Sequence, residues 1–346
     1  MTGKILRSLD AFWFSPAPAK RLAAMRILTG IYTIYFLVDR RSHYVDAASG
    51  GPEVFSPIGV CSWMTHPLSP GHYDALLGGT VVFAHLFTFG IWHRVLAPLF
   101  GALLLFVLTY SNSWTMVFHT ENMLVVHVLI LSICRSADAY SWDSSNTAER
   151  PGLARWGFAQ RASDPHFRYF WPIRLLQLGA TLPYVIAGIA KVRGKAGWDW
   201  ALGGNLRDQI TMNGLYYDVY KGSAREITYH VYGWDDAFMA AAVMTLVVEL
   251  GAPLALLTKK LGYLYVVSVM SMHWSIMFLM GIPFPYQLYG WAYVCFFDWE
   301  RIIAFIRRKI SPFWGGKVGQ WIDRLDESES SKQVKSSSRV TAKLES

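Results

Sequence analysis

The sequence predicts an all-α protein: a polytopic membrane helical bundle of about eight transmembrane helices. Three observations predict it. Apolar residues make up 53% of the 346 and charged residues only 16%, where a soluble domain carries about a quarter charged. The apolar residues fall into blocks of span length, some without a single charge. Lys and Arg gather in alternate connections, as they do on the cytoplasmic side of a membrane.

Residues 1–20 set Lys4, Arg7 and Lys20 around "AFWFSPAPA". Aromatics and cations together predict a short interfacial helix, stopped by its prolines. The transmembrane domain follows over residues 21–310. Its spans fall near 22–38, 76–92, 95–112, 116–134, 170–190, 237–257, 261–281 and 285–306. The third, "VLAPLFGALLLFVLTYSN", is the cleanest, and Tyr, Gln and Trp interrupt the eighth. Residues 311–346 form a polar tail. From Asp323 it is rich in Ser and charge, with too little apolar content to fold.

Charge sets the orientation. Arg21 and Arg26 open the first span, and Arg94 is the one Lys or Arg between Ser42 and Cys134. It sits in the turn between spans two and three. Arg135, Arg150, Arg155, Arg161 and Arg168 follow span four, "TKKLG" joins spans six and seven, and Arg307, Arg308 and Lys309 follow span eight. Eight spans put all of these on one side, so both termini are expected in the cytoplasm. For a bacterial source the membrane is the inner one. Nothing at the N-terminus reads as a cleavable signal. The net charge of +8 is topology and contact with anionic lipid rather than nucleic-acid binding. The three cysteines, Cys61, Cys134 and Cys295, show no disulfide or metal spacing, and no pair of histidines suggests a metal site. Two long connections, 39–75 and 191–236, carry Trp, Tyr, Gly and Pro and are expected to cap the outer helix ends.

Candidate site residues come from polarity at membrane depth. At 100° per residue, Arg174, Gln177, Thr181, Tyr184, Gly188 and Lys191 fall within about 100° of arc. Span five thus carries one polar stripe, which must face the bundle interior or a wet cavity. Pro183 lies on the opposite face. Lys191 ends the stripe at the outer boundary, against the positive-inside bias. A snorkelling lysine is the plain alternative; a desolvated lysine serving as a base is the functional one. Glu249 and His273 lie mid-span on consecutive helices, where a carboxylate–imidazole contact or a packing hydrogen bond is expected. In span four His119 and Asn122 share a face at the outer end, near Asn112, and His127 reads as a packed core histidine.

The segments "FHTENMLVVHVLILSICRSADAYSWD", "YVIAGIAKVRGKAGWDW", "VELGAPLALL" and "MHW…MGIPFPY" resemble the HTTM family. This is the horizontally transferred transmembrane domain, similar to the membrane part of vitamin K-dependent gamma-carboxylase. The resemblance covers residues 15–310. It implies that Lys191, three residues after Gly188, matches the carboxylase lysine that acts as base toward reduced vitamin K. It also implies an assisting role for His119 or Asn122. The carboxylase continues into a long extramembrane region that binds its protein substrate. Here a short polar tail stands in its place, so protein gamma-carboxylation is not expected.

The expected function is a membrane enzyme acting on a lipophilic, quinol-like substrate. In it Lys191, His119 and Asn122 would do the chemistry, in a pocket of Arg174, Gln177, Thr181, Tyr184, Glu249 and His273. No cofactor is evident beyond a quinone-like lipid, and the expected partners are membrane lipids and a lipophilic small molecule. The alternatives are a transport or lipid-binding protein using Glu249 and His273, and a non-catalytic membrane partner or immunity protein.

Overall fold

The structure, a computed structural model, describes residues 2–114, 121–149, 165–222 and 226–310. These residues are helical throughout, apart from turns and one isolated antiparallel bridge between Ala17 and His166. Four helices are long and apolar enough to cross a membrane: Ala19–Ala47, His93–Asn112, Phe167–Arg193 and Lys259–Met280. The chain divides into two compact units, Met1–Phe297 and Asp298–Ser346.

The first unit begins with α1 (Thr2–Phe14), which stops short of Pro16 and Pro18 and leaves Leu6 and Leu9 exposed. α2 (Ala19–Ala47) buries Leu22, Arg26, Thr29, Thr33 and Leu37, a helical period that makes one inward face. Ser69 caps α3 (Pro70–Phe89), its Oγ accepting from the His72 N–H at 3.3 Å. Gly90, with φ +64°, ends α3 in the left-handed form that glycine allows. α4 (His93–Asn112) follows at once, antiparallel to α3. α2 and α3 touch at Gly30, where an added Cβ would stand 2.1 Å from Thr88 Oγ1. Small residues at such a crossing let apolar helices meet closely.

α5 (Asn122–Ile133) and α6 (Trp142–Glu149) lead to α7 (Phe170–Arg193), the hub of the unit. α7 packs against α1, α5, α10 (Asp235–Leu250), the 3₁₀ turn Ala252–Leu256 and the 3₁₀ segment Trp291–Phe296. Its connection to α10 folds as a cap of α8 (Gly204–Lys221) and α9 (Glu226–Val231). α11 (Lys259–Met280) then runs in the same direction as α7, and its Tyr265 and His273 reach Ala180 and Tyr184. One end, the basic end, carries Arg26, Arg94, Arg174, Lys259 and Lys260, while Arg40, Arg41, Lys191 and Arg193 lie toward the other. At the basic end the Arg26 guanidinium, fully buried, donates to the carbonyls of Ser136 (2.5 Å) and Tyr140 (2.6 Å).

Helices therefore occupy most of seven predicted spans, with two shortfalls. The fourth is helical only from Asn122 within the described residues. The sixth leaves the α-helix at Leu250, because Pro253 has no N–H to continue the ladder.

The eighth predicted span, 285–306, is corrected by the structure. It is not one helix but α12 (Pro285–Leu288), the 3₁₀ segment Trp291–Phe296 and, in the second unit, α13 (Trp299–Ile310). The part up to Phe297 runs antiparallel to α11. Phe284 meets His273 at 5.0 Å, Tyr293 meets Tyr265 at 6.3 Å and Phe297 stacks on Tyr263 at 5.5 Å. Its residues are mostly buried, which is what non-helical backbone requires in apolar surroundings.

α13 is amphipathic, with Phe305 exposed beside Arg301, Arg308 and Lys309. The Asp298 carbonyl accepts from the Arg301 and Ile302 N–H groups at its start. The tail over 311–346 lies outside the described residues, as do His119, Arg150, Arg155 and Arg161.

The α2–α3 crossing yields a test. Gly30→Ala should destabilise the detergent-solubilised protein by about 1–3 kcal/mol through overpacking against Thr88. Gly79→Ala on α3, where nothing lies within 4 Å of the added Cβ, should be neutral or slightly stabilising. Thermal unfolding of both variants checks the contrast.

Candidate functional site

The polar stripe of α7 faces inward. Thr181, Tyr184 and Gly188 are buried, while Leu182, Ile186 and Ile189 on the other side are exposed. The helix continues through Pro183, which sits on the exposed side.

At the basic end Arg174 donates from Nε to the Phe12 carbonyl at 3.1 Å. Its Nη1 donates to Gln177 Oε1 (3.0 Å) and to the Leu256 carbonyl (3.1 Å). Its guanidinium also lies over the rings of Phe12 and Phe170. Gln177 Nε2 donates to the Cys295 carbonyl at 3.0 Å, meeting the end of the broken eighth segment. Thr181 returns its hydroxyl to its own helix, at the Gln177 carbonyl.

At mid-helix the Tyr184 hydroxyl stands 2.7 Å from His273 Nε2 and 2.5 Å from the Tyr293 hydroxyl. Three helical segments thus meet in one buried hydrogen-bonded chain. The Tyr265 hydroxyl, beside it, donates to the Ala180 carbonyl at 3.0 Å.

One turn further on, Gly188 lets α10 come close. An added Cβ there would stand 2.8 Å from Leu250 Cδ2 and 3.1 Å from Glu249 Cβ. That approach puts Glu249, in the last turn of α10, within reach of Lys191. Lys191 Nζ donates to both carboxylate oxygens, at 2.6 and 2.8 Å. The carboxylate side chain is 6% exposed and the lysine 25%. The ammonium also lies 5.3 Å from the centroid of Trp200. Trp200 is buried against Ala242 and Leu246 of α10. The turn carrying it comes so near that an added Cβ at Gly203 would lie 2.5 Å from the Met239 nitrogen.

This arrangement corrects the expected Glu249–His273 contact. Glu249 pairs with Lys191 and His273 with Tyr184, and the two contacts are about two turns apart on α7. The expectation placed Glu249 in mid-span. α10 instead ends at Leu250, and the gap left by Gly188 draws its last turn to the lysine.

Of the span-four candidates, His119 lies outside the described residues and Asn122 is not brought to this seam. Asn122 is exposed in the first turn of α5. Its neighbour Glu121, with Arg40, His43, Ser111 and Asn112, lines a separate cavity of about 220 Å³ at the capped end. His127 is a packed core histidine: Nδ1 lies 2.7 Å from the Tyr286 hydroxyl and Nε2 3.1 Å from the Leu176 carbonyl. Among the described residues no group of three or more His, Cys, Asp or Glu is placed to hold a metal. Tyr293, Tyr286 and Trp200 escaped the sequence reading as site members. The polar interruptions of the eighth span were the signal for the two tyrosines.

Comparison with protein-family models, curated proteins and solved structures finds no match.

The ion pair predicts an asymmetric double-mutant cycle. Glu249→Leu leaves the ammonium without its carboxylate and should cost about 2 kcal/mol, a partly buried pair being worth less than a fully buried one. Lys191→Met with Glu249→Leu should recover most of that loss. Chemical or thermal unfolding of the two single variants and the double variant measures the coupling.

Proposed function

We propose that this chain is an integral membrane protein of the gamma-carboxylase-like HTTM kind. In this reading Lys191 and Glu249 form an acid–base couple acting on a lipophilic, quinol-like substrate. The single observation that carries the reading is the Lys191–Glu249 contact: a lysine held by a buried carboxylate, with a quarter of its own side chain open.

The chemistry follows from the pair. Glu249 takes one proton from the ammonium, leaving a neutral amine hydrogen-bonded to a carboxylic acid. In low-dielectric surroundings the charged and neutral forms of such a pair approach each other in energy. The amine then takes the proton of a quinol O–H, giving a quinolate and restoring the ammonium. The net transfer is from substrate to Glu249. The motif resemblance around Gly188 and Lys191 supports the same assignment. The cations in the short connections before α4 and α11, Arg94, Lys259 and Lys260, support cytoplasmic termini in a bacterial inner membrane.

A second reading has its own observation. The bidentate ion pair and the Trp200 contact together clasp the 197–203 turn to α10. A non-catalytic membrane protein would use that clasp only to hold its cap.

Purified wild type, Lys191→Arg and Lys191→Met separate the two. Under the acid–base reading a quinone-like species identified by mass spectrometry stays with wild type and is lost or altered in both variants, while Lys191→Arg keeps the wild-type melting temperature. Duroquinol added to wild type should raise that temperature and should not raise it in Lys191→Met. Loss of stability without any quinol-dependent difference leaves the clasp.

A further inference from the structure

We propose that the cavity at the basic end, between the start of α4 and the end of α5, binds a phosphate group, that of an anionic lipid headgroup or of free phosphate. It lies apart from the Lys191–Glu249 seam and does not depend on the function assigned there. The cavity measures about 420 Å³. One water occupies about 30 Å³ in the liquid, so this space takes a ligand of many atoms.

Its lining is chemically selective. Arg94 and Arg135 stand on it, with His93, Ser132 and Asp138. Ser132 is 3% exposed, and its hydroxyl has no hydrogen-bond partner in the structure. A buried hydroxyl on a cavity wall is costly unless a ligand completes it. The Arg135 side chain is 34% exposed and gives Asp138 one long hydrogen bond of 3.4 Å from Nη1. Most of a guanidinium fork therefore remains to meet a planar set of oxygens.

The negative charges nearby are engaged. Asp138 Oδ2 also accepts from the Tyr169 hydroxyl at 2.9 Å. Asp143, from α6, accepts from the Trp92 and His93 N–H groups at 2.9 and 2.8 Å. Arg26 backs the wall, bonded to the carbonyls of Ser136 and Tyr140. The sum over Arg26, Arg94, Arg135, Asp138 and Asp143 is positive, and it faces an anion.

The mouth favours a lipid as the source. Ile133, which lines the cavity, is 69% exposed, and Val95 and Leu99 nearby on α4 are 58% and 47% exposed. A headgroup in the polar part leaves its acyl chains against this apolar surface. Basic pockets between membrane helices on the cytoplasmic side recognise headgroups in this way.

Native mass spectrometry of the full chain in detergent tests the site, with phosphatidylglycerol, phosphatidylcholine and inorganic phosphate as separate probes. Wild type should retain phosphatidylglycerol over phosphatidylcholine. Arg135→Gln should weaken that retention by about tenfold, the loss of one charge-assisted contact. Ser132→Ala should weaken it less, with the melting temperature unchanged or raised, because the change removes an unpartnered hydroxyl. Tyr169→Phe keeps the cation and should retain the lipid. If inorganic phosphate binds wild type and not Arg135→Gln, while the two lipids bind alike, the ligand is free phosphate. The proposal is overturned if no phosphate probe is preferred over phosphatidylcholine. It is equally overturned if Ser132→Ala, which breaks no contact within the protein, and Arg135→Gln both bind as wild type does.

Discussion

An ammonium and a carboxylate can share apolar surroundings only as a pair, and the contact between Lys191 and Glu249 organises everything around it. Bringing them together requires α7 and α10 to approach without a side chain between them, which Gly188 permits. It requires α10 to end at that level, and the Gly251–Pro253 step ends it. The 3₁₀ turn that follows returns the chain to Arg174, which accepts the geometry by donating to the Leu256 carbonyl. On the other side the same ammonium lies against Trp200, and Trp200 seats the cap on α10. One ion pair thus ties the two longest-range features of the unit, the cap and the hub helix, to a single helix end.

The same rule of internal satisfaction explains the broken eighth segment. A continuous helix would set Tyr286, Gln287 and Tyr293 within about 120° of arc and keep its carbonyls for its own ladder. Broken into a short helix and a 3₁₀ turn, the segment buries all three. The Tyr286 and Tyr293 hydroxyls meet His127 and Tyr184, and the Cys295 carbonyl accepts from Gln177. The backbone irregularity is affordable because α2, α7 and α11 surround it. It contributes acceptors and hydroxyls to the interior that a regular helix would have kept for itself.

Much of this was legible in the sequence because helical periodicity is a local property. The stripe from Arg174 to Lys191 follows from 100° steps alone, and its inward orientation follows from the cost of polar groups against lipid. Burial of His127 followed in the same way. What the sequence did not convey was pairing between helices. Glu249 and His273 each had the right depth for several partners, and choosing among them depends on where α10 stops, which the Gly251–Pro253 step decides, and on the close approach that Gly188 of another helix allows. Arg26 read as a cation preceding the first span. It is a buried anchor for the segment after α5, because its carbonyl partners lie more than a hundred residues away in sequence. The eighth segment failed as a span for a related reason: length and apolarity cannot distinguish a lipid-facing helix from a broken strand of chain enclosed by others.

The polar seam is not uniform, and the differences along it bear on the proposed acid–base chemistry. At Arg174 the guanidinium meets two backbone carbonyls, a side-chain amide and two rings, so nothing there is open to exchange. At Tyr184 the hydroxyl is closed in by an imidazole and a second phenol, both buried. At Lys191 the seam reaches a surface with a charge whose counter-ion is a buried carboxylate. A proton can leave a network only where an incoming group can touch it, and the neighbouring carboxylate gives the departing charge somewhere to go. The two inner stations then act as a rigid backing that keeps Gly188 and Glu249 in register, so the position of the outermost pair depends on contacts made along the whole length of α7.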